Sequence, residues 1–155
     1  MRRKDREVTD YKKMLEILEQ CDCCRLGLNE EAGAYVVPLN FGYEDQDGQL
    51  TLYFHGAMEG KKMELIRQQG RAGFELDRNH ALVMGETACA WSWKYQSIMG
   101  KGSLRILEDS EEKRHGLNRI MEHYSRKGAW AFPEQMVNCV CVLSLTVAEW
   151  SCKEH

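Results

Sequence analysis

The chain has 155 residues, of which 43% are hydrophobic and 29% are charged, and it contains only two prolines. A chain of this length and composition can bury its own core, so we expect one domain over residues 1–155 and no long disordered segment. The net charge of −3 argues against a general nucleic-acid-binding protein, and no apolar run approaches a membrane-spanning segment.

The basic start, MRRKDREVTD, lacks the apolar run of a secretion signal, so we expect a cytoplasmic protein. Further along, Thr9 or Asp10 can cap a helix whose apolar face carries Tyr11, Met14, Leu15 and Leu18.

The chain has seven cysteines, an odd number that favours reduced thiols over a disulfide framework. The CDCC segment contains a C-x-x-C pair, Cys21 and Cys24, which could be redox-active or supply half of a zinc site. We favour the simpler interpretation that these cysteines are small apolar residues entering a strand. Cys139 and Cys141 have the spacing of two residues on one face of a later strand.

Residues 24–55 read as three successive antiparallel strands, with turn signals at 29–33 and 44–48. In the third strand, Leu50, Leu52 and Phe54 alternate with polar residues, which is typical of a strand with one face on a core. A glycine-bearing turn then leads into a short helix that Gly70 ends.

The second half predicts a strand in RAGFELD, a polar break near Asn79, and a long bent strand in YQSIMGKGSLRILED with a bulge at Gly100 and Gly102. Asp109 and Glu112 form a capping box before an amphipathic helix, and MVNCVCVLSLTVAEW reads as a central strand. The fold class is therefore α+β, mainly β: a small barrel-like antiparallel sheet with a few peripheral helices.

The turn before Lys61 and Lys62 joins a strand to a helix start, where free backbone N–H groups and two ammonium groups can meet an anion. Adjacent lysines at a helix start are more often simply solvated, so the chemistry alone leaves both interpretations open. Among the histidines, we expect His80, His115 and His123 to be solvated.

Trp91 and Trp93 alternate on a strand, which places them in the core, in a dimer interface or in the wall of a ligand pocket.

The segments RLGL, AYVVPLNFGY, LYFHGAMEGKK and YQSIMGKG resemble the flavin-binding split-barrel family that includes pyridoxamine 5′-phosphate oxidase. Within it, the sequence is most similar to the 5-nitroimidazole-resistance (Nim-type) proteins. The resemblance implies an FMN-binding split β-barrel and a homodimer with the cofactor between the subunits.

The resemblance also implies a set of site residues. Lys61 and Lys62 match the basic pair that holds the FMN phosphate, and His55 matches a histidine with a catalytic role beside the flavin. The segment along the flavin ring corresponds to Val36, Val37, Pro38, Leu39 and Asn40. The segment that reaches the cofactor from the other subunit corresponds to Tyr95, Gln96 and Ser97.

The expected function is an FMN-dependent oxidoreductase that reduces a small acceptor such as a nitroaromatic compound. No G-x-G-x-x-G fingerprint is present in the sequence, so NADH or NADPH would dock transiently as the electron donor. The end of the chain, VLSLTVAEWSCKEH, lacks the arginine-rich segment that binds the substrate phosphate in the oxidase proper. The alternatives are a haem- or flavin-binding module without turnover and a thiol redox protein based on CDCC.

Overall fold

The structure, a computed structural model, describes residues 3–155. Its elements in chain order are a 3-10 turn Lys4–Arg6, β1 Glu7–Val8, α1 Tyr11–Glu19, β2 Cys24–Glu30, β3 Gly33–Leu39, β4 Phe41–Gln46, β5 Gln49–Gly56, α2 Lys61–Gln69, β6 Arg71–Val83, a 3-10 turn Ala88–Ala90, β7 Ser92–Leu107, α3 Ser110–Ser125, α4 Glu134–Asn138 and β8 Cys141–Glu154.

The strands form one antiparallel sheet in the order β3-β2-β6-β7-β8-β5-β4, and β1 pairs with β8. The sheet curls around a single large core to which most strands, α1 and α2 contribute apolar side chains. Its two edge strands, β3 and β4, follow one another in the chain but do not pair with each other. The sheet is therefore a barrel with an open seam, and the prediction of a mainly β, barrel-like fold is confirmed.

The prediction of three strands in residues 24–55 is wrong, because the middle strand is divided at Asn40. Before the division β3 pairs with β2, with Leu39 opposite Cys24, and after it β4 pairs with β5, with Phe41 opposite Phe54. The local sequence is apolar and strand-forming on both sides of Asn40, so composition does not reveal where the chain changes partners.

The helix boundaries follow the predicted caps. The Asp10 carboxylate accepts a hydrogen bond from the Lys12 backbone N–H at 3.0 Å, and Asp109 accepts from the N–H groups of Glu111 and Glu112, both at 3.0 Å. At the other end of α2, Gly70 adopts a left-handed conformation with φ 61°, which ends the helix as predicted.

Helix α3 lies across the outer face of β4, β5 and β8. There a second small core forms from Tyr53, Leu107, Ile120 and Val142. The approach is closest at Gly42, where a Cβ atom would lie 2.3 Å from backbone atoms of Arg119 and Ile120. This end of the sheet is thus closed on both faces by the chain itself.

Strands β6 and β7 run beyond the core as a hairpin arm, residues 79–94. The arm begins where the register shifts between Arg78 and Ala81 and Asn79 takes a left-handed φ of 60°. The polar break predicted near Asn79 is thus a bulge inside a continuous strand. Four large apolar side chains of the arm are exposed, namely Leu82, Met84, Trp91 and Trp93.

The predicted bulge at Gly100 and Gly102 is confirmed by a register shift between Lys101 and Gly102, opposite β8. The predicted central strand is also confirmed, but it begins only at Cys141. Cys139 ends α4 and is exposed, whereas Cys141 is buried, so the expectation that they share a strand face is wrong. Among residues 3–155, no helix is both long and apolar enough to cross a membrane.

Candidate functional site

The turn between β5 and α2 is open to an anion. Gly60 precedes the first residue of α2 with φ 112°, a conformation that side-chain-bearing residues rarely adopt. No side chain caps this helix in the described chain. The first backbone N–H groups of α2 therefore stay available to a ligand, and the positive end of the helix dipole favours a negative charge there.

Lys62 points back from α2 onto the end of β5. Its Nζ lies 2.6 Å from the position that a Cβ atom would occupy on Gly56, so a larger residue there would displace the ammonium from this position. Lys62 is half-buried, and burial lowers the pKa of its ammonium group. It forms no salt bridge with any acidic side chain among residues 3–155. A partly desolvated cation without a counter-ion is a favourable partner for a phosphate.

Lys61 points elsewhere, because successive residues of a helix are about 100° apart around the axis. Its Nζ forms a salt bridge with the Glu30 carboxylate at the end of β2. The same ammonium lies 5.6 Å from the centre of the Tyr35 ring, within the range of a cation–π contact. The structure therefore divides the predicted pair: Lys61 has an anionic partner, and Lys62 has none within residues 3–155.

His55 lies on the outer face of β5, next to Gly56, and pairs in register with Val142. The residue is exposed, but neighbouring atoms partly shield its imidazole from water. This burial, followed by the positive charge of Lys62, lowers the pKa of His55 below its usual 6.5. The imidazole is therefore neutral at pH 7, with one N–H to donate and one nitrogen to accept a proton.

The predicted ring-binding segment forms β3 and the residue after it. Val36 and Pro38 are exposed on the outer face, while Val37 and Leu39 turn inward and pack against the core. Asn40 is exposed at the division between β3 and β4. The outer face of β3 thus offers a short aliphatic surface, and the inward residues could meet a ligand only through their backbone.

Tyr95, Gln96 and Ser97 lie far from His55 in the same chain. Ser97 pairs with Lys153 and His55 with Val142, which are eleven positions apart on β8 and so up to about 36 Å apart along it. The Gln96 side chain is buried, donates a hydrogen bond to Glu154 at 3.3 Å and accepts one from Arg78 at 2.8 Å. These three residues could join a site with His55 only if a second copy of the chain supplied them.

Sequence reasoning did not identify a charged network on the outer face between β3 and β7. Arg25 contacts the carboxylates of Glu75, at 3.1 Å, and Asp77, and His80 Nε2 lies 2.9 Å from Asp77. Burial and the neighbouring Asp77 raise the pKa of Glu75. The register pair of Arg25 with Glu75 was not visible in the sequence, because β2 and β6 are separated by four other elements.

The prediction that His123 is solvated is wrong. It is only 7% exposed, its Nε2 lies 2.8 Å from the Cys21 carbonyl oxygen, and its ring packs against Phe41 with 4.3 Å between ring centres. Because a carbonyl oxygen can only accept, Nε2 carries the proton. Burial accordingly lowers the pKa of His123.

The CDCC segment offers little reactivity. Cys21 and Cys24 are buried, and burial raises the pKa of both thiols, that of Cys21 to about 12. A thiol that stays protonated at neutral pH is a poor nucleophile and a poor metal ligand. Across residues 3–155, no group of three or more His, Cys, Asp or Glu side chains is placed to hold a metal ion.

The chemistry of this turn fits the phosphate end of FMN. The ligand's dianion needs a cation and backbone donors, which Lys62 and the start of α2 provide, and Gly60 leaves open space beside them. The ring end needs an aliphatic surface and a polar side chain, and the outer face of β3 and His55 provide these.

Comparison with known proteins agrees with the sequence resemblance. A family model described as pyridoxamine 5′-phosphate oxidase matches residues 10–154. A solved structure described as a candidate 5-nitroimidazole antibiotic resistance protein from Bacteroides thetaiotaomicron is 33% identical, with a TM-score of 0.82, covering 96% of this chain and 86% of that one. No curated protein matches this chain in sequence.

More distant structures share the fold alone. The flavocytochrome Anf3 from Azotobacter vinelandii is 20% identical with a TM-score of 0.80, covering 100% of this chain and 72% of its own. A FAD- and haem-binding protein from Mycobacterium smegmatis is 16% identical with a TM-score of 0.80, covering 96% of this chain and 73% of its own. With a family model that spans nearly the whole chain and a relative at 33% identity, this chain belongs to the pyridoxamine 5′-phosphate oxidase-like family of split β-barrels.

Proposed function

We propose that this chain is an FMN-dependent oxidoreductase that passes electrons from NADH or NADPH to a small acceptor, such as a nitroaromatic compound. The observation that carries the proposal is the position of Lys62. Its half-buried ammonium, which has no acidic partner in the described part of the chain, lies against Gly56, at the open start of α2 and beside His55. Family membership and the Nim-like relative support the choice of flavin and of acceptor.

Lys62 and the first N–H groups of α2 hold the phosphate, and the outer face of β3 supports the flavin ring. FMN, when bound, supplies the redox chemistry. His55 is neutral at pH 7, so its N–H can donate a hydrogen bond to a nitro oxygen. It can also relay a proton to the acceptor, because its second nitrogen can take up a proton from water as the N–H proton is passed on.

The proposal includes a homodimer, because one chain does not bring its predicted site residues together. Tyr95, Gln96 and Ser97 lie at the other end of the sheet from His55 and Lys62. The hairpin arm beside them exposes Trp91 and Trp93, with 49% and 47% of their surface accessible. Two exposed tryptophans on a projecting hairpin are typical of a protein–protein contact. The other subunit's arm would bring its Tyr95–Ser97 segment to the flavin.

The oxidation of pyridoxamine 5′-phosphate is not part of the proposal. The last strand, Cys141–Glu154, carries no arginine, so it lacks the arginine side chains that would bind the phosphate of such a substrate.

A binding experiment tests the cofactor assignment. The purified protein should show the absorbance bands of oxidised flavin, and FMN should restore them after the ligand has been removed. Lys62→Met should weaken FMN binding by about 10- to 100-fold, because it removes a charge-assisted hydrogen bond in a partly desolvated place. Lys61→Met is the matched control and should weaken binding by less than about 5-fold, since Lys61 is already paired with Glu30.

A protein that neither contains flavin nor binds FMN would refute the proposal, and equal losses for the two lysine variants would refute the special role of Lys62. Turnover is tested by anaerobic mixing of the flavin-loaded protein with NADH or NADPH, and then with a nitroimidazole. Reduction of the flavin followed by its reoxidation by the acceptor is expected. His55→Asn should slow reoxidation by about 10- to 100-fold while leaving FMN affinity within about 3-fold. Flavin that is never reduced, or never reoxidised, would leave a flavin-binding module without this activity.

A further inference from the structure

The surroundings of Lys61 bear on which flavin this site accepts, an inference that rests on the proposed function. FMN ends in one phosphate, whereas FAD continues from that phosphate through a second one to adenosine. A site that holds the first phosphate at Lys62 must therefore receive the rest of FAD in the space beyond it. The β2–β3 hairpin lies beside the first turn of α2, because Glu30 at the end of β2 contacts Lys61, the neighbour of Lys62.

This region is acidic. Glu30 and Glu31 lie at the tip of the β2–β3 hairpin, where Glu30 pairs with Gly33, and Glu59 and Glu64 flank the two lysines on the α2 side. The cation that could offset these charges, Lys61, is held by the Glu30 carboxylate and over the Tyr35 ring. Of the two lysines, Lys62 is the one without an acidic partner among residues 3–155, and it lies directly at the end of β5.

This arrangement discriminates between the two flavins. The terminal phosphate of FMN is a dianion that Lys62 and the α2 N–H groups can bind without approaching the hairpin. The second phosphate of FAD would lie next to Glu30, with the like charges repelling one another, and Lys61 could bind it only by breaking its salt bridge. Here a repulsive contact against the unwanted ligand provides the specificity.

We propose that Glu30 is a specificity-determining residue that restricts this site to FMN by excluding the diphosphate of FAD. Glu30 acts at the phosphate end of the cofactor, far from the reacting atoms, and is not a catalytic residue. Its neighbour Glu31 is exposed, forms no salt bridge among residues 3–155, and provides a matched control for the loss of one carboxylate.

The test measures the dissociation constants of FMN and FAD for the full chain stripped of bound flavin, by quenching of flavin fluorescence. The wild-type protein should bind FAD at least about 10-fold more weakly than FMN. Glu30→Gln should reduce this ratio by about 3- to 10-fold, the effect of removing one charge close to a phosphate at a hydrated surface. Glu31→Gln should change the ratio by less than about 2-fold.

The double variant Glu30→Gln with Lys61→Gln separates the two ways in which Glu30 could act. If the carboxylate repels the second phosphate, the ratio should still fall in the double variant. If it falls only when Lys61 is present, Glu30 acts by occupying Lys61, and the repulsion proposed here is wrong. A wild-type protein that binds both flavins equally, or a ratio that Glu30→Gln leaves unchanged, would overturn the inference while the flavin function stands. Binding of neither flavin would refute the proposed function and, with it, this inference.

Discussion

The two ends of the sheet differ in whether a helix covers the outer face. Over β4, β5 and β8 the chain covers the outer face itself, with α3 packed so closely that Gly42 touches the helix backbone. Over β2, β3 and β6 the described chain provides no helix, and the face shows Val36, Pro38 and the charged network of Arg25 and Glu75. The covered end serves stability. The uncovered end, together with the exposed end of β5 at His55, is where we propose that a cofactor and a second subunit bind.

The largest expected effect is a loss of stability from a substitution at the covered end. Gly42→Ala places a methyl group 2.3 Å from backbone atoms of α3, which cannot rotate away, so α3 must move off the sheet. We expect the free energy of unfolding to fall by about 3 kcal/mol, measured by urea denaturation. Gly128→Ala is the control, since a Cβ atom there meets nothing within 4 Å, and should stay within about 0.5 kcal/mol of the wild type. Equal stability of the two variants would mean that α3 packs less tightly at Gly42.

The next largest expected effect is a loss of subunit association from a substitution in the hairpin arm. Trp93→Lys puts a charge on the arm, opposite Leu82, where we expect the contact between subunits. The dissociation constant of the dimer should rise at least about 30-fold, as expected when a central aromatic contact is lost, with little change in monomer stability. Sedimentation over a range of protein concentrations measures this. Met136→Lys changes an exposed methionine on α4 and should leave association unchanged; the same weakening in both variants would argue against the arm as the contact.

The smallest effect is a pH dependence from the covered end. His123 donates through Nε2 to the Cys21 carbonyl, and its Nδ1 is buried with no hydrogen-bond partner in the described chain. Its folded-state pKa is lowered by burial, so below pH 6.5 the unfolded state binds the proton first. The free energy of unfolding should therefore be highest above pH 6.5 and should fall as the pH drops from there through the folded-state pKa.

The matched variant is His123→Gln, whose amide nitrogen can still donate to the Cys21 carbonyl but does not titrate. Thermal unfolding followed from pH 7.5 to pH 5 should show a shallower loss of stability in this variant than in the wild type. The residual slope would include His55, whose pKa is lowered in the same direction. Identical slopes would show that the His123 proton has no part in the acid sensitivity.

The sequence predicted the features that depend on neighbours along the chain. The caps at Asp10 and Asp109, the helix end at Gly70 and the bulge at Gly102 all rest on local backbone chemistry, and each is present. The division at Asn40 was missed because a change of strand partner is decided by closure of the whole sheet.

For the candidate site, the sequence indicated where the lysines lie but not which side chains they contact. The order of strand, glycine turn and helix located the lysines, but their separate roles depend on Glu30, which comes from a distant hairpin. His123 was misjudged because the helix pattern alone does not show that Phe41 and the Cys21 carbonyl meet it. Pairings across the fold, as with Arg25 and Glu75, lie beyond the reach of local patterns.

The position of β8 has a consequence for synthesis of the protein. The strand that comes last in the chain order lies between β5 and β7 and also pairs with β1. Until it leaves the ribosome, the nascent chain holds two partial sheets, each with a long unpaired edge that can associate with other chains. Slow translation of β8 should therefore expose these edges for longer, and chaperones that shield unpaired strands should bind this protein before β8 emerges.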